Sequence, residues 1–243
     1  LARQRLDAGL LLADLEPTEP KMDDFVEIPG LGEIGRYPVT NREFKRFMDE
    51  GGYRQDKPWW SEAALKELPQ YWGGEWPTAP RYWDDSRFNH PTQPVVGVSW
   101  YEAVAYCAWL TGKLQAAGRA VEARLPTLEE WRQVAGSQTY PWRNDFDTAC
   151  ANSEESGLGQ TTPVDMYPDG KTPSGVWDMA GNVWEWTNTD DGDKSNTWYY
   201  LAGGAYWNDE KNIGSAARLG TSPWYWYVNY GFRVLVVPVS RSG

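Results

Sequence analysis

Cysteine occurs twice and histidine once in this 243-residue chain, and phenylalanine only six times. Two cysteines, Cys107 and Cys150, are too few for a disulfide scaffold, and a chain of this length needs none to bury a core. They read either as two buried thiols or as one pair. The lone His90, placed before Pro91, reads as a loop residue. It excludes most zinc sites built on histidine and leaves a Ser-His-Asp triad a single candidate base. Basic charge is also in deficit, with 23 Lys and Arg against 34 Asp and Glu and a formal charge of -11. That balance disfavours a phosphate backbone, so no nucleic-acid partner is expected. No apolar run reaches the length that spans a bilayer, and the N-terminus lacks the basic, apolar and small-residue succession of a signal peptide, so no membrane insertion is expected.

What is abundant is the amphipathic ring. Sixteen Trp and 14 Tyr bring the aromatic share to 15%, and rings with a polar handle suit partly wet surfaces as well as cores. Residues 1–16 place Leu6, Leu10 and Leu11 at helical spacing, and Pro17 and Pro20 stop the segment. The stretch from Met22 to Tyr37 mixes short apolar and polar runs with Gly and Pro, the pattern of short strands and a turn. Three helices follow, each opened by a capping box: Thr40 with Glu43, Ser99 with Glu102, and Thr127 with Glu130.

Phe44, Phe47 and Met48 form the apolar stripe of the first helix, which Gly51 ends. On the second, Trp100, Val104, Cys107 and Ala108 have the spacing of one buried face, with Gly112 as the stop. The third spans Leu128 to Ala135, with Trp131 and Val134 inward and Gly136 as its stop. Residues 52–94, and the half from Tyr140 onward, read as loops and short strands that end in a terminal strand set at Phe232 to Val237. The chain thus divides into a connecting helix and linker over residues 1–21 and one loop-rich α+β domain over residues 22–243.

The segments PVTNREFKRFMDEGGY, HPTQPVVGVSWYEAVAYCAWL, RLPTLEEWRQVAG, GVWDMAGNVWEWT, GGAYW and GFRV, in this order, resemble the formylglycine-generating-enzyme, or sulfatase-modifying factor, family. GNVWEW is the most specific of them. The resemblance implies a C-type-lectin-like fold with little regular secondary structure. The family's oxidases use a C-terminal cysteine pair to hold copper(I), a soft ion that needs thiolates. This chain has no cysteine after Cys150, so no copper is expected. Family relatives that make sulfur-modified histidines bind iron through a histidine cluster that one histidine cannot supply. The expectation is therefore a chain that is not an enzyme.

The same fold, by resemblance, carries variable proteins diversified by retroelements, whose C-terminal side chains form the ligand surface. PWYWYVNYGFRV stands at that position here. Tyrosine and tryptophan give large rigid contact area at low entropic cost. The expected ligand surface comprises Trp207, Asn208, Asp209, Lys211, Asn212, Thr221, Ser222, Trp224, Tyr225, Trp226, Tyr227, Asn229 and Tyr230. Its expected partner is a protein or peptide. On strand alternation, Trp224, Trp226, Val228 and Tyr230 share one face and Tyr225, Tyr227 and Asn229 the other. The alternation equally fits a strand whose first face simply fills the core.

Structural calcium is the other implication of the resemblance, with Asp178, Gly181, Val183 and Glu185 as oxygen ligands. The two carboxylates equally suit hydrogen bonding to turn amides. Other readings remain open: a sensor domain of a larger signalling protein, or an enzyme using non-cysteine chemistry, with Asp209 and Glu210 as acid and base.

Overall fold

A computed structural model describes residues 2–15, 24–193 and 197–239. The expected stop at Pro17 and Pro20, and the domain boundary at residue 21, lie outside the described residues. Helix α1 (Ala2–Leu15) precedes them. Its Leu6 is fully buried, and a Cβ on Gly9 would lie 3.5 Å from the Pro163 side chain, so this helix rests on the body of the protein.

Two four-stranded sheets form the frame. The first takes the order β1 (Phe25–Ile28), β2 (Gly32–Gly35), β8 (Leu235–Pro238) and β3 (Val121–Arg124), all antiparallel. The second takes the order β6 (Gly214–Thr221), β5 (Tyr199–Gly203), β4 (Trp184–Asp190) and β7 (Tyr230–Phe232), with β4 and β7 parallel. The two residues between β7 and β8, Arg233 and Val234, carry the chain from one sheet to the other.

All three capping boxes form as the sequence predicts. Thr40 opens α2 (Asn41–Asp49), Ser99 opens α4 (Trp100–Ala116) and Thr127 opens α5 (Leu128–Ala135), each with its glutamate three residues on. Phe44 and Phe47 of α2, and Trp131 and Val134 of α5, are buried as expected. Gly51 and Gly136 hold φ of 82° and 90° at the ends of α2 and α5, a region that favours glycine.

Helix α4 corrects the expectation twice. It runs through Gly112 to Ala116, and its buried side chains are Tyr101, Glu102, Ala103, Ala105, Tyr106, Cys107, Trp109, Leu110 and Leu114. A helix covered over most of its circumference has apolar residues nearly all round, so its periodicity no longer marks one face. Trp100 and Val104 are half-buried and Ala108 is exposed. A helix the sequence does not announce, α3 (Glu62–Tyr71), is capped by Ser61, buries Ala64 and Leu68, and contains Pro69. Cys107 and Cys150 are both free and buried.

At the sheet-to-sheet crossover sits a fully buried ion pair. Arg233 donates from Nε at 2.8 Å and from Nη2 at 2.7 Å to the two carboxylate oxygens of Glu185 on β4. Its remaining hydrogens go to the carbonyls of Gly35, Arg36 and Trp177, so every guanidinium N–H has an acceptor. Trp131 Nε1 of α5 donates to Glu185 at 2.7 Å. Breaking such a pair from one side strands a buried charge. Glu185→Ala should therefore lower the unfolding free energy by about 3–5 kcal/mol. Urea denaturation followed by tryptophan fluorescence checks this, and an unchanged midpoint would show that the pair does not hold the sheets together.

Candidate functional site

Beside the second sheet, the loop after β5, the exposed side of β6 and the segment leading into β7 enclose an open cleft of about 470 Å³. Its walls are aromatic. Trp184 opens β4, Trp207 follows β5, and Tyr225, Tyr227 and Tyr230 come from the segment before and into β7. Tyr225 and Tyr227 lie nearly parallel with ring centroids 6.2 Å apart, and Trp207 meets Tyr227 at 5.1 Å. Tyr230 is packed under both tyrosines, and burial, followed by their two phenols, pushes its hydroxyl pKa up.

Polar and cationic groups complete the lining: Asn208, Lys211, Asn212, Arg218 and Asn229. No acid belongs to it. Asp209 instead caps the short turn Glu210–Asn212, where its carboxylate accepts the Asn212 backbone N–H at 3.1 Å and Nδ2–H at 2.7 Å. A carboxylate held in its own cap has no freedom to act with Glu210 as an acid–base pair. Glu210 also lies outside the lining.

Of the thirteen residues expected on the ligand surface, the structure brings eight together in the cleft: Trp207, Asn208, Lys211, Asn212, Tyr225, Tyr227, Asn229 and Tyr230. Thr221 pairs with Tyr199 at the end of β6, and the Ser222 carbonyl accepts the Tyr225 N–H. Trp224 and Trp226 turn to the opposite side. Trp224 stacks on Tyr71 of α3 at 3.4 Å with rings 3° apart, and Trp226 packs against Trp72, Tyr82 and the Arg81 guanidinium.

Residues 224–229 are not in a strand, although exposure alternates up to Val228. Asn229 then breaks the rule, being fully buried where alternation points it outward. Trp184, Ala217, Arg218 and Leu219 line the cleft without having been foreseen. The exposed rings near Trp207 could have drawn attention to Arg218, but nothing in the sequence aims β6 at them.

The residues expected to hold calcium carry bonds within the protein. Glu185 is committed to Arg233 and Trp131. The Gly181 carbonyl accepts the Val183 N–H at 2.8 Å. Among the described residues no three His, Cys, Asp or Glu side chains gather in one cluster. The buried thiols do not reach the cleft, and burial pushes both of their pKa values up. His90 bonds within its own loop, its Nδ1 3.1 Å from the Thr92 hydroxyl.

Asp178 is buried at φ 55°, with Asn182 Nδ2 at 3.3 Å. Burial pushes its pKa up to about 8, against the pull of Asn182 and Arg233, and Glu185 and Asp165 add to the rise. An unfolded aspartate releases its proton near pH ~4. Between there and about pH 8 the folded state holds the extra proton, so this group's contribution to stability falls as pH rises through that window and levels off above it. Asp178→Asn should flatten the corresponding part of the fall. Melting temperatures of both proteins across the window check this, and parallel curves would remove Asp178 as the cause.

Residues 9–237 match the family model described as a sulfatase-modifying factor enzyme 1-like domain. A hercynine oxygenase of Mycolicibacterium thermoresistibile is 37% identical over 180 residues, which cover 68% of this chain and 36% of the relative. The chain therefore spans little more than a third of that relative's length. An inactive C-alpha-formylglycine-generating enzyme 2 of Bos taurus is 32% identical, covering 82% of this chain and 75% of the relative. Treponema denticola variable protein 1 shares the C-type-lectin-like fold with a TM-score of 0.59 at 18% identity, covering 85% of this chain and 84% of that one. The expectation that the chain is not an enzyme is corrected by the oxygenase relatives, which stand at 36% identity or more. The cysteine pair bears on one oxidative chemistry alone, and its absence does not extend to catalysis by other means.

Proposed function

Since the chain belongs to the sulfatase-modifying factor enzyme 1-like family, we propose that it is the substrate-holding part of an enzyme, with the aromatic cleft as its binding site. The observation that carries this reading is the cleft's composition. Five large rings, two cationic side chains and no carboxylate face one cavity. Faces of Trp and Tyr favour flat or cationic groups, and the cations favour an anionic one, so the cleft suits a small organic zwitterion.

The cleft's lining offers no thiolate, imidazole or carboxylate to a redox metal. The tasks left to this chain's residues are binding and orienting, which can supply a large share of catalysis when the reacting group comes from elsewhere. That division agrees with the share of the hercynine oxygenase that this chain spans.

A second reading rests on exposure. Trp207, Leu219, Tyr225 and Tyr227 remain 36–40% exposed around the mouth, a rim that also suits a peptide or protein ligand, as on a variable protein's binding surface.

Titrating the chain with hercynine, followed by tryptophan fluorescence, separates the two. Saturable binding that Trp207→Ala and Tyr227→Ala each weaken about tenfold, at unchanged melting temperature, supports the substrate-holding reading. No hercynine binding, together with displayed peptides that depend on the same two side chains, would replace it with the second.

A further inference from the structure

Buried tryptophans in this protein donate their indole N–H to the fold. Among the described residues, Trp60 donates to the Gly52 carbonyl, Trp109 to Glu50, Trp131 to Glu185 and Trp186 to the Val98 carbonyl. Trp184 is the exception. It is 7% exposed and its Nε1 meets no acceptor, yet that atom is not sealed from solvent as the unmet Trp72 Nε1 is. The indole lines the aromatic cleft. Tyr230 repeats the pattern. It is 6% exposed, lines the same cleft, and carries a hydroxyl that meets no partner and is not sealed as the unmet Tyr167 hydroxyl is. The two residues are paired across β4 and β7, side by side on one face of the sheet. Trp207, Tyr225 and Tyr227 stand exposed around the mouth, so Trp184 and Tyr230 form the floor.

An indole N–H can only donate. Burial, followed by the phenols of Tyr225 and Tyr227, keeps the neighbouring Tyr230 hydroxyl protonated, so it too can donate. A group that satisfies both must present acceptors. We infer that the floor of the cleft is a carboxylate seat, where Trp184 Nε1–H and Tyr230 O–H donate to the oxygens of a ligand's carboxylate while its flat or cationic remainder lies among the rings at the mouth. Lys211, which meets no carboxylate among the described residues, adds the opposite charge. A donor group placed on the same floor finds two hydrogens facing its own, so the seat discriminates by chemistry as well as by charge. This inference rests on the cleft being the binding site proposed above, and assigns the atoms that hold the ligand's anionic end.

The probe is 3-phenylpropionate, which has a carboxylate and a ring. Its control is 3-phenylpropionamide, which has the same shape but carries an NH2 donor in place of one acceptor oxygen. Calorimetric titration of the 243-residue chain should show the acid binding about tenfold more tightly than the amide. Tyr230→Phe should remove most of that preference without lowering the melting temperature, because the fold makes no use of the hydroxyl. In nitrogen–proton correlation spectra the Trp184 indole resonance, assigned by its loss in Trp184→Phe, should move as the acid is added.

Equal binding of the acid and the amide to the parent, or an indole resonance that stays in place while the acid binds, would overturn the seat and leave the cleft as an aromatic site alone. Failure of the acid to bind would also overturn it, and the hercynine titration would still decide the substrate-holding reading separately. A melting temperature lowered by Tyr230→Phe would show that the hydroxyl is structural, its hydrogen met by buried water.

Discussion

The guanidinium of Arg233 and the carboxylate of Glu185 are the pair on which the arrangement of the two sheets depends. Each is drawn from water into a site with no exposure, a transfer that the Coulomb attraction offsets only when the geometry is good and every remaining hydrogen finds an acceptor. Both conditions hold, because carbonyls from Gly35, Arg36 and Trp177 take what Glu185 does not. Those carbonyls belong to the far end of β2 and to the turn before β4. Arg233 thus ties the crossover between sheets to the end of β2, the turn before β4 and β4 itself, and Glu185 adds α5 by accepting the Trp131 Nε1–H. A hydrophobic pair would bury the same area without dictating which carbonyl lies where. The directional bonds specify the register of β4 beside β7, in which Glu185 pairs with Gly231.

That register in turn positions the cleft. Trp184 is the neighbour of Glu185, and Asn229 and Tyr230 lie just before Arg233, so two walls of the cavity are fixed within a few residues of the ion pair. The Trp184 N–H to Asn229 carbonyl bond joins them directly. The other walls are loops hung from this rigid part, Trp207 to Asn212 after β5 and Tyr225 to Tyr227 before β7, with the Tyr227 carbonyl accepting the Gly97 N–H. A scaffold stiff at the back and adaptable at the rim is the usual division of labour in a binding site.

Much of this was legible in the sequence. The three capping boxes specify helices through local hydrogen bonds, and local bonds do not wait on the tertiary fold. The density of Trp and Tyr near the C-terminus pointed to the cleft for the same reason that it builds one. The errors share a cause in long-range contacts. Pro69 reads as a helix breaker, which conceals α3, and without α3 nothing reveals that Trp224 has Tyr71 to stack on. Trp226 likewise has its partners in the segment from Trp72 to Tyr82. The motif glutamate Glu185 reads as a cation ligand, and the cation that faces it in the structure is the guanidinium of Arg233, arriving from another motif segment, GFRV. Neither motif read singly names the other as its partner.

The absence of the cysteine pair shows how far a missing residue can carry an argument. Thiolates suit a soft ion, so without them after Cys150 there is no reason to expect that ion in the C-terminal half. Their absence says nothing about whether a bound molecule is later transformed by groups outside these 243 residues. Binding and chemistry are separable where a relative, such as the hercynine oxygenase, is more than twice the length of the region that matches this chain. What the cleft keeps is a set of demands on its occupant: rings to stack against and a positive rim that favours an anionic group.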